Sequence, residues 1–179
     1  MSIATIPTGE THQVLPQEFE ELFREHCQLV YRTAYGITGN RQDAEDVLQS
    51  IFLKLLQRDF SAEIKRNPSA YLHRAAVNLS LNVLRSRKRE KVTDGVEIHE
   101  VPQRSTDDSA SAAADEIHER LLDAIGSLKP RAVEILLLHY KHNYSDAEIA
   151  KMLGKSRGTI AVTLYRTRAR LKKLMEKTS

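Results

Sequence analysis

Apolar positions recur along this chain at intervals of three and four, the period of helices that turn one face inward. The first such stretch runs from about Pro16 to Ile37, with Phe19, Leu22, Phe23, Leu29, Val30, Ala34 and Ile37 on one face. "GITGN" interrupts it, since Gly36 and Gly39 admit the backbone conformations of a helix end. Asn40 is a favourable N-cap for a second helix, and Asp43, Glu45 and Asp46 follow where the helix dipole favours negative charge. Val47, Leu48, Ile51, Phe52, Leu55 and Leu56 make its apolar stripe, wide for a single packing partner. "RDFSAEIKRNPSA" reads as a polar connection. A third helix starts near Pro68, with Leu72, Ala75, Ala76, Leu79 and Val83 inward, and ends in "RSRKREK".

The period then disappears. "VTDGVEIHEVPQRSTDDSASAAAD" is rich in Ser, Asp, Thr and Ala and contains Gly95 and Pro102, the composition of a flexible linker. A structureless loop of this length is uncommon inside one compact domain. Helical spacing returns from Glu116 to Ile125 and from Arg131 to Tyr140, separated by Lys129-Pro130. The pattern predicts an all-α chain of two small helical domains: residues 1–15 a flexible N-terminus, 16–91 the first domain, 92–114 the linker and 115–179 the second domain.

The most legible local signal is "YSDAEIAKMLGKSRGTIAVTLYRTRARLKKL". Ser145 and Glu148 have capping-box spacing. Ile149, Ala150 and Leu153 fall on one side, and Gly154 supplies a tight turn. Ser156 caps a further helix, from which Ile160, Leu164, Leu171 and Leu174 pack inward. This is a helix-turn-helix pattern, whose second helix enters the major groove of DNA. Arg157, Gly158, Thr159, Ala161, Val162 and Tyr165 lie near the start of that helix. Arg166, Arg170, Lys173 and Lys177 form a stripe suited to phosphates. By itself the pattern says only that the chain binds DNA. A stand-alone regulator, or an enzyme with a DNA-binding tail, would carry it too.

Charge supports a polyanionic partner. Net charge is only +3, but residues 16–91 hold 13 basic and 10 acidic side chains and residues 115–179 hold 13 and 8. The segment between, 92–114, holds one basic and five acidic. Two basic blocks flank an acidic spacer. The single cysteine, Cys27, excludes an internal disulfide and reads as a structural thiol beside His26. His139 and His142 lack the thiol or carboxylate neighbours of a metal site, and His73 reads as a surface residue. No phosphate-binding glycine loop, nucleophile elbow or paired-carboxylate arrangement is evident, so neither a cofactor nor a metal is expected. No signal peptide and no apolar run of membrane-spanning length occurs, which reads as a cytoplasmic chain.

Three stretches, in order, resemble the extracytoplasmic-function (ECF) group of bacterial RNA polymerase sigma factors. "ELFREHCQLVYRTAYGITGNRQDAEDVLQSIFLKLL" and "NPSAYLHRAAVNLSLNVLRSRKRE" look like sigma region 2. "LKPRAVEILLLHYKHNYSDAEIAKMLGKSRGTIAVTLYRTRARLKKL" looks like region 4. Together they cover about 110 residues, with a variable linker where the family has one.

The resemblance implies a non-catalytic specificity subunit that binds core RNA polymerase and promoter DNA. Its polymerase contacts would be the β′ clamp helices and the β subunit, and an anti-sigma factor is a further expected partner. Contact with the clamp helices falls to Asp43, Glu45, Asp46, Gln49 and Phe52, although the acids also suit simple dipole compensation. Reading and melting of the −10 element falls to Arg74, Asn78, Asn82, Arg85, Lys88 and Arg89. Phe60, in the preceding connection, either helps capture a flipped base or is plain core. Reading of the −35 element falls to Arg157, Thr159, Val162, Tyr165, Arg166, Arg170 and Lys173. Family members often carry basic or hydroxyl residues just after Gly-Thr-Val, where this chain has Ala161, Val162 and Thr163. Base reading here is therefore expected to depend more on apolar contact with thymine methyls and on Arg157, Tyr165 and Arg166.

Overall fold

A computed structural model describes residues 17–57, 62–94 and 109–177. Among them are eight helices and no strand: α1 (Gln17–Thr38), α2 (Arg41–Leu56), α3 (Ala62–Arg66), α4 (Pro68–Asp94), α5 (Ser109–Gly126), α6 (Pro130–Tyr140), α7 (Asp146–Leu153) and α8 (Arg157–Lys177). The expected N-terminal segment 1–15, Phe60 and most of the expected linker lie outside the described residues. The helices on either side reach further than the apolar period indicates. α4 continues to Asp94, and α5 starts at Ser109 through alanine-rich sequence with good helix propensity but no apolar face. The connection read as wholly polar contains the short helix α3, pinned by Ile64, which is 4% exposed.

Local chemistry sets the helix ends. Gly39 takes a left-handed conformation (φ +64°), and its N–H donates to the Tyr35 carbonyl, closing α1. Asn40 follows at once in extended conformation, and its side chain accepts from the Asp43 N–H, opening α2. Gly36 does not take part in this break. It stays helical, and its missing side chain instead admits Leu137 of α6: a Cβ placed there would lie 3.4 Å from Leu137 Cδ2. Asn67 caps α4 by accepting from the Ala70 N–H at 3.1 Å.

α1, α2 and α4 enclose the first core, built from Phe19, Val30, Ala34, Val47, Ile51, Phe52, Leu55, Leu72 and Ala76, with Ile64 of α3 joining it. A second core gathers Ile135, Leu136, Leu138, Ile149, Leu153, Ile160 and Leu164 from α6, α7 and α8. A third core joins the two units. Ile37, Val77, Leu81 and Leu84 from α1 and α4 pack against Ile125, Leu128, Val133 and Leu137 from α5, α6 and the turn between them. The two helical units therefore share buried apolar surface.

Polar contacts follow the same seam. His73 is fully buried rather than at the surface, because its position on α4 faces α1 and the turn after α6. Its ring meets His142 edge-on at 5.5 Å between centroids. His142 Nε2 lies 2.9 Å from Thr33 Oγ1, and Arg32 donates to the Lys141 carbonyl at 3.0 Å.

Candidate nucleic-acid interface and docking face

The helix-turn-helix forms as its sequence dictates. The Ser145 hydroxyl accepts from the Glu148 N–H while the Glu148 carboxylate accepts from the Ser145 N–H at 2.8 Å, a reciprocal capping box. The Ser145 hydroxyl also donates to the Glu148 carboxylate at 2.6 Å, and this bond, then the one from the Ser145 N–H, holds the Glu148 carboxyl below its ordinary pKa. Gly154 closes α7 with φ +61°. Ser156 Oγ accepts from the Thr159 N–H at 3.1 Å and opens α8. Ile160, Leu164 and Thr167 turn into the core.

The outer face of α8 carries all seven residues expected to read DNA. Arg157, Thr159, Val162, Tyr165, Arg166, Arg170 and Lys173 are exposed. Tyr165 is 75% exposed and Val162 48%, so an aromatic ring and a branched aliphatic side chain stand in solvent beside a row of cations. That combination offers apolar contact with base edges and charge for phosphates. The Thr159 hydroxyl is 2.8 Å from Ser156 Oγ, which fixes its direction. Arg168 stands off this row, with its guanidinium over Tyr140 at 5.5 Å. The Lys177 side chain is outside the described residues.

The α4 residues also share one side of their helix, and Arg74, Arg85 and Lys88 already hold partners within the chain. Arg74 pairs with Glu63 at 2.8 Å and approaches Glu134 at 3.6 Å. Arg85 donates to the carbonyls of Gly126 and Leu128 at 3.1 and 3.2 Å. Lys88 pairs with Asp123 at 2.9 Å. Asn78, Asn82 and Arg89 are exposed on the same helix. Asn82, Arg85, Lys88 and Arg89 line one wall of a cleft of about 680 Å³ whose other wall is Asp123, Gly126 and Ser127. Arg87, which the sequence did not single out, turns the other way and pairs with Asp43 at 2.6 Å.

On α2 the five expected docking residues separate. Asp46 and Gln49 are exposed. Glu45 is partly covered and held by Arg41 at 2.8 Å. Asp43 is mostly covered, and burial raises its pKa against the opposing pull of Arg87. Phe52 is not exposed beside Asp46 and Gln49. It is 4% exposed, with its ring edge-on to Phe19 and Phe23, because its position on α2 points at α1. The exposed apolar residues beside Asp46 and Gln49 are Leu53 (56%) and Leu56 (41%). Positions 46, 49, 53 and 56 recur at three, four and three, so the signal was present in the sequence. Phe52 was expected there from the family resemblance of its helix.

Among the described residues no group of three or more His, Cys, Asp or Glu side chains could hold a metal, and no helix is long and apolar enough to cross a membrane.

Residues 22–90 match the family model of Sigma-70 region 2, and residues 118–171 match that of Sigma-70, region 4. The chain is 33% identical over 159 residues to an RNA polymerase sigma-E factor of Streptomyces antibioticus, spanning 89% of this chain and 85% of that one. It is 30% identical over 145 residues to the ECF RNA polymerase sigma factor SigL of Mycobacterium tuberculosis, spanning 80% and 81%. The structure of the sigma factor RpoE of Bartonella quintana, solved with the anti-sigma factor NepR, shares the fold. It matches with a TM-score of 0.51 at 23% identity, covering 90% of this chain and 98% of that one.

Proposed function

The chain belongs to the extracytoplasmic-function group of RNA polymerase sigma factors, and on that premise we propose how three helix faces divide the work of initiation. As a sigma factor it binds core RNA polymerase and directs promoter-specific transcription initiation. The region 2 unit docks on the β′ clamp helices through the exposed side of α2. Asp46 and Gln49 supply polar contacts, Leu53 and Leu56 supply apolar area, and Glu45 contributes at the edge. Asp43 supports this face from behind through Arg87.

The α4 residues Arg74, Asn78, Asn82, Arg85, Lys88 and Arg89 serve the −10 element. Their cations hold phosphates, and the two amides hydrogen-bond base edges once strands separate. The α8 residues serve the −35 element in duplex form, with Val162 and Tyr165 in apolar contact and Arg157, Arg166, Arg170 and Lys173 on phosphates. The chain performs no chemistry of its own and works in the cytoplasm with the polymerase. An anti-sigma factor, which the Bartonella relative carries in its solved complex, is the regulatory partner this reading expects.

The observation that carries this assignment is the exposed α8 row, where apolar side chains and cations stand together on a capped recognition helix. The test is transcription by core polymerase, with and without this protein, on a random promoter library, followed by sequencing of run-off products. Start sites sharing two spaced elements, seen only with both proteins present, are expected. Duplex binding by the protein alone, with no core-dependent transcription, would refute the assignment.

A further inference from the structure

The basic end of α4 runs past its apolar anchors. His73, Val77, Ser80 and Leu84 follow one another at helical spacing down a buried face, and none of residues 85–90 is buried. The stretch beyond Leu84, "RSRKREK", sets Arg85 against Arg89 and Arg87 against Lys91 at i,i+4, where like charges destabilise a helix. Apolar packing therefore does not fix the direction of these last turns. The next position on the buried face, three residues after Leu84, is Arg87. It brings a guanidinium where an apolar side chain would continue the stripe, and its Nη2 meets Oδ2 of Asp43 on α2 at 2.6 Å.

The start of α2 is built to receive that charge. A helix N-terminus carries partial positive charge on its free N–H groups and by itself repels a guanidinium. Asp43 reverses the sign. It stands in the first turn of α2, its N–H donating to the Asn40 side chain at 3.1 Å and its own side chain 16% exposed. Burial raises the Asp43 pKa, Arg87 pulls it down, and the neighbouring Asp46 pushes it up again. Each member of the pair offsets the cost of covering the other.

The two helices depend on this contact unequally. α2 is held by its Asn40 cap and by burial of Val47, Ile51, Phe52 and Leu55. The end of α4 has no such burial, and Arg85 and Lys88 reach the second unit instead. Counted around the helix, positions 85, 88 and 89 cluster on one side and position 87 lies opposite them. Fixing Arg87 thus fixes where the other three cations point.

We propose that Arg87 is a positioning residue for the −10 element: tied to Asp43, it sets the direction and rotation of the last turns of α4, so that Arg85, Lys88 and Arg89 meet DNA from one side. The inference rests on α4 serving the −10 element, and it adds a residue that shapes that surface without touching DNA.

The test compares the full parent chain with Arg87→Gln, which removes the charge at similar length, and Arg87→Lys, which keeps it. Hydrogen exchange of the free chain, read on peptides spanning residues 85–94, reports the anchor without polymerase. Arg87→Gln should exchange about fivefold faster there, with residues 68–84 unchanged, and Arg87→Lys should stay near the parent. The functional readout is permanganate reactivity of −10 thymines, with core polymerase on a promoter recovered from the library screen. Arg87→Gln should lower the rate of melting about fivefold and core polymerase affinity by less than about twofold, and Arg87→Lys should restore melting. Adding Asp43→Asn to Arg87→Gln should lower melting little further, because both changes break one contact. Unchanged exchange over residues 85–94, or faster exchange with undiminished melting, would overturn the proposal. Equal losses of melting and of core polymerase affinity would overturn it too, since the pair would then act through the docking face. Circular dichroism checks folding, and if Arg87→Gln does not fold, Arg87→Lys and Asp43→Asn supply the same comparison. A parent chain that directs no core-dependent transcription counts against the sigma assignment, and the exchange result separates that failure from failure of the anchor.

Discussion

His73 and His142 meet edge to face, 5.5 Å between ring centroids, where α1, α4 and the turn after α6 converge. The two residues are far apart in sequence and belong to different family regions, yet their rings help close one seam. Burial drives the His73 pKa down to about 3, with His142 nearby adding to the effect. Burial, then Arg32 and Lys141, drive His142 down to about 4.

Acid should therefore open this seam. Both imidazoles titrate at about 6.5 in the unfolded chain, so below that pH the unfolded chain binds more protons than the folded one. Their contribution to stability is complete above about pH 6.5 and falls as pH drops towards 4 and then 3. For His73 alone the loss by pH 5 is about 2 kcal/mol. Urea melts at pH 7 and pH 5 check this. His142→Gln, which keeps a polar partner for Thr33, should flatten the dependence. An unchanged midpoint between the two pH values would contradict it.

Tyr165 touches solvent over most of its surface, so Tyr165→Ala should leave stability within about 0.5 kcal/mol of the parent. Its effect should appear in promoter use, as a loss of roughly 1–3 kcal/mol in −35 discrimination measured on duplexes with single-base changes. Lys173→Ala should behave differently. It should weaken binding to all sequences alike and lower the salt slope by about one.

Leu53 and Phe52 are neighbours in sequence with opposite roles. Leu53→Glu should preserve the thermal midpoint and reduce core polymerase affinity, read by native gel or fluorescence titration. Phe52→Ala should cost about 3–5 kcal/mol of stability, because it empties a site between Phe19 and Phe23. Equal stability losses in both variants would place Leu53 in the core.

Gly39 and Gly154 have nearly the same left-handed backbone, φ +64° and +61°, in different surroundings. A Cβ at Gly154 meets nothing within 4 Å, so Gly154→Ala should cost only the conformational strain of about 1–2 kcal/mol. A Cβ at Gly39 would lie 2.7 Å from Leu122 and 2.8 Å from His118 of α5. Gly39→Ala should therefore cost more, and α5 should shift from the region 2 unit. Chemical denaturation and hydrogen exchange over α5 check both.

The features legible in sequence are those whose causes lie within a few residues. Asn40, Ser145 with Glu148, and Gly154 announce helix ends because capping bonds span three or four residues. The α8 row was equally readable, since a repeat of three and four places side chains on one face wherever the helix goes. The sequence alone thus determined an all-helical chain, a recognition helix and the family to which it belongs. It could not choose between Phe52 and Leu53, because an apolar stripe wider than one partner leaves the partner's position to decide which edge is covered. Nor could it bury His73, keep Gly36 helical against Leu137, or bring Asp123 and the end of α5 to Arg85 and Lys88. Those outcomes depend on contacts between residues tens of positions apart, and only the packing of one unit on the other establishes them.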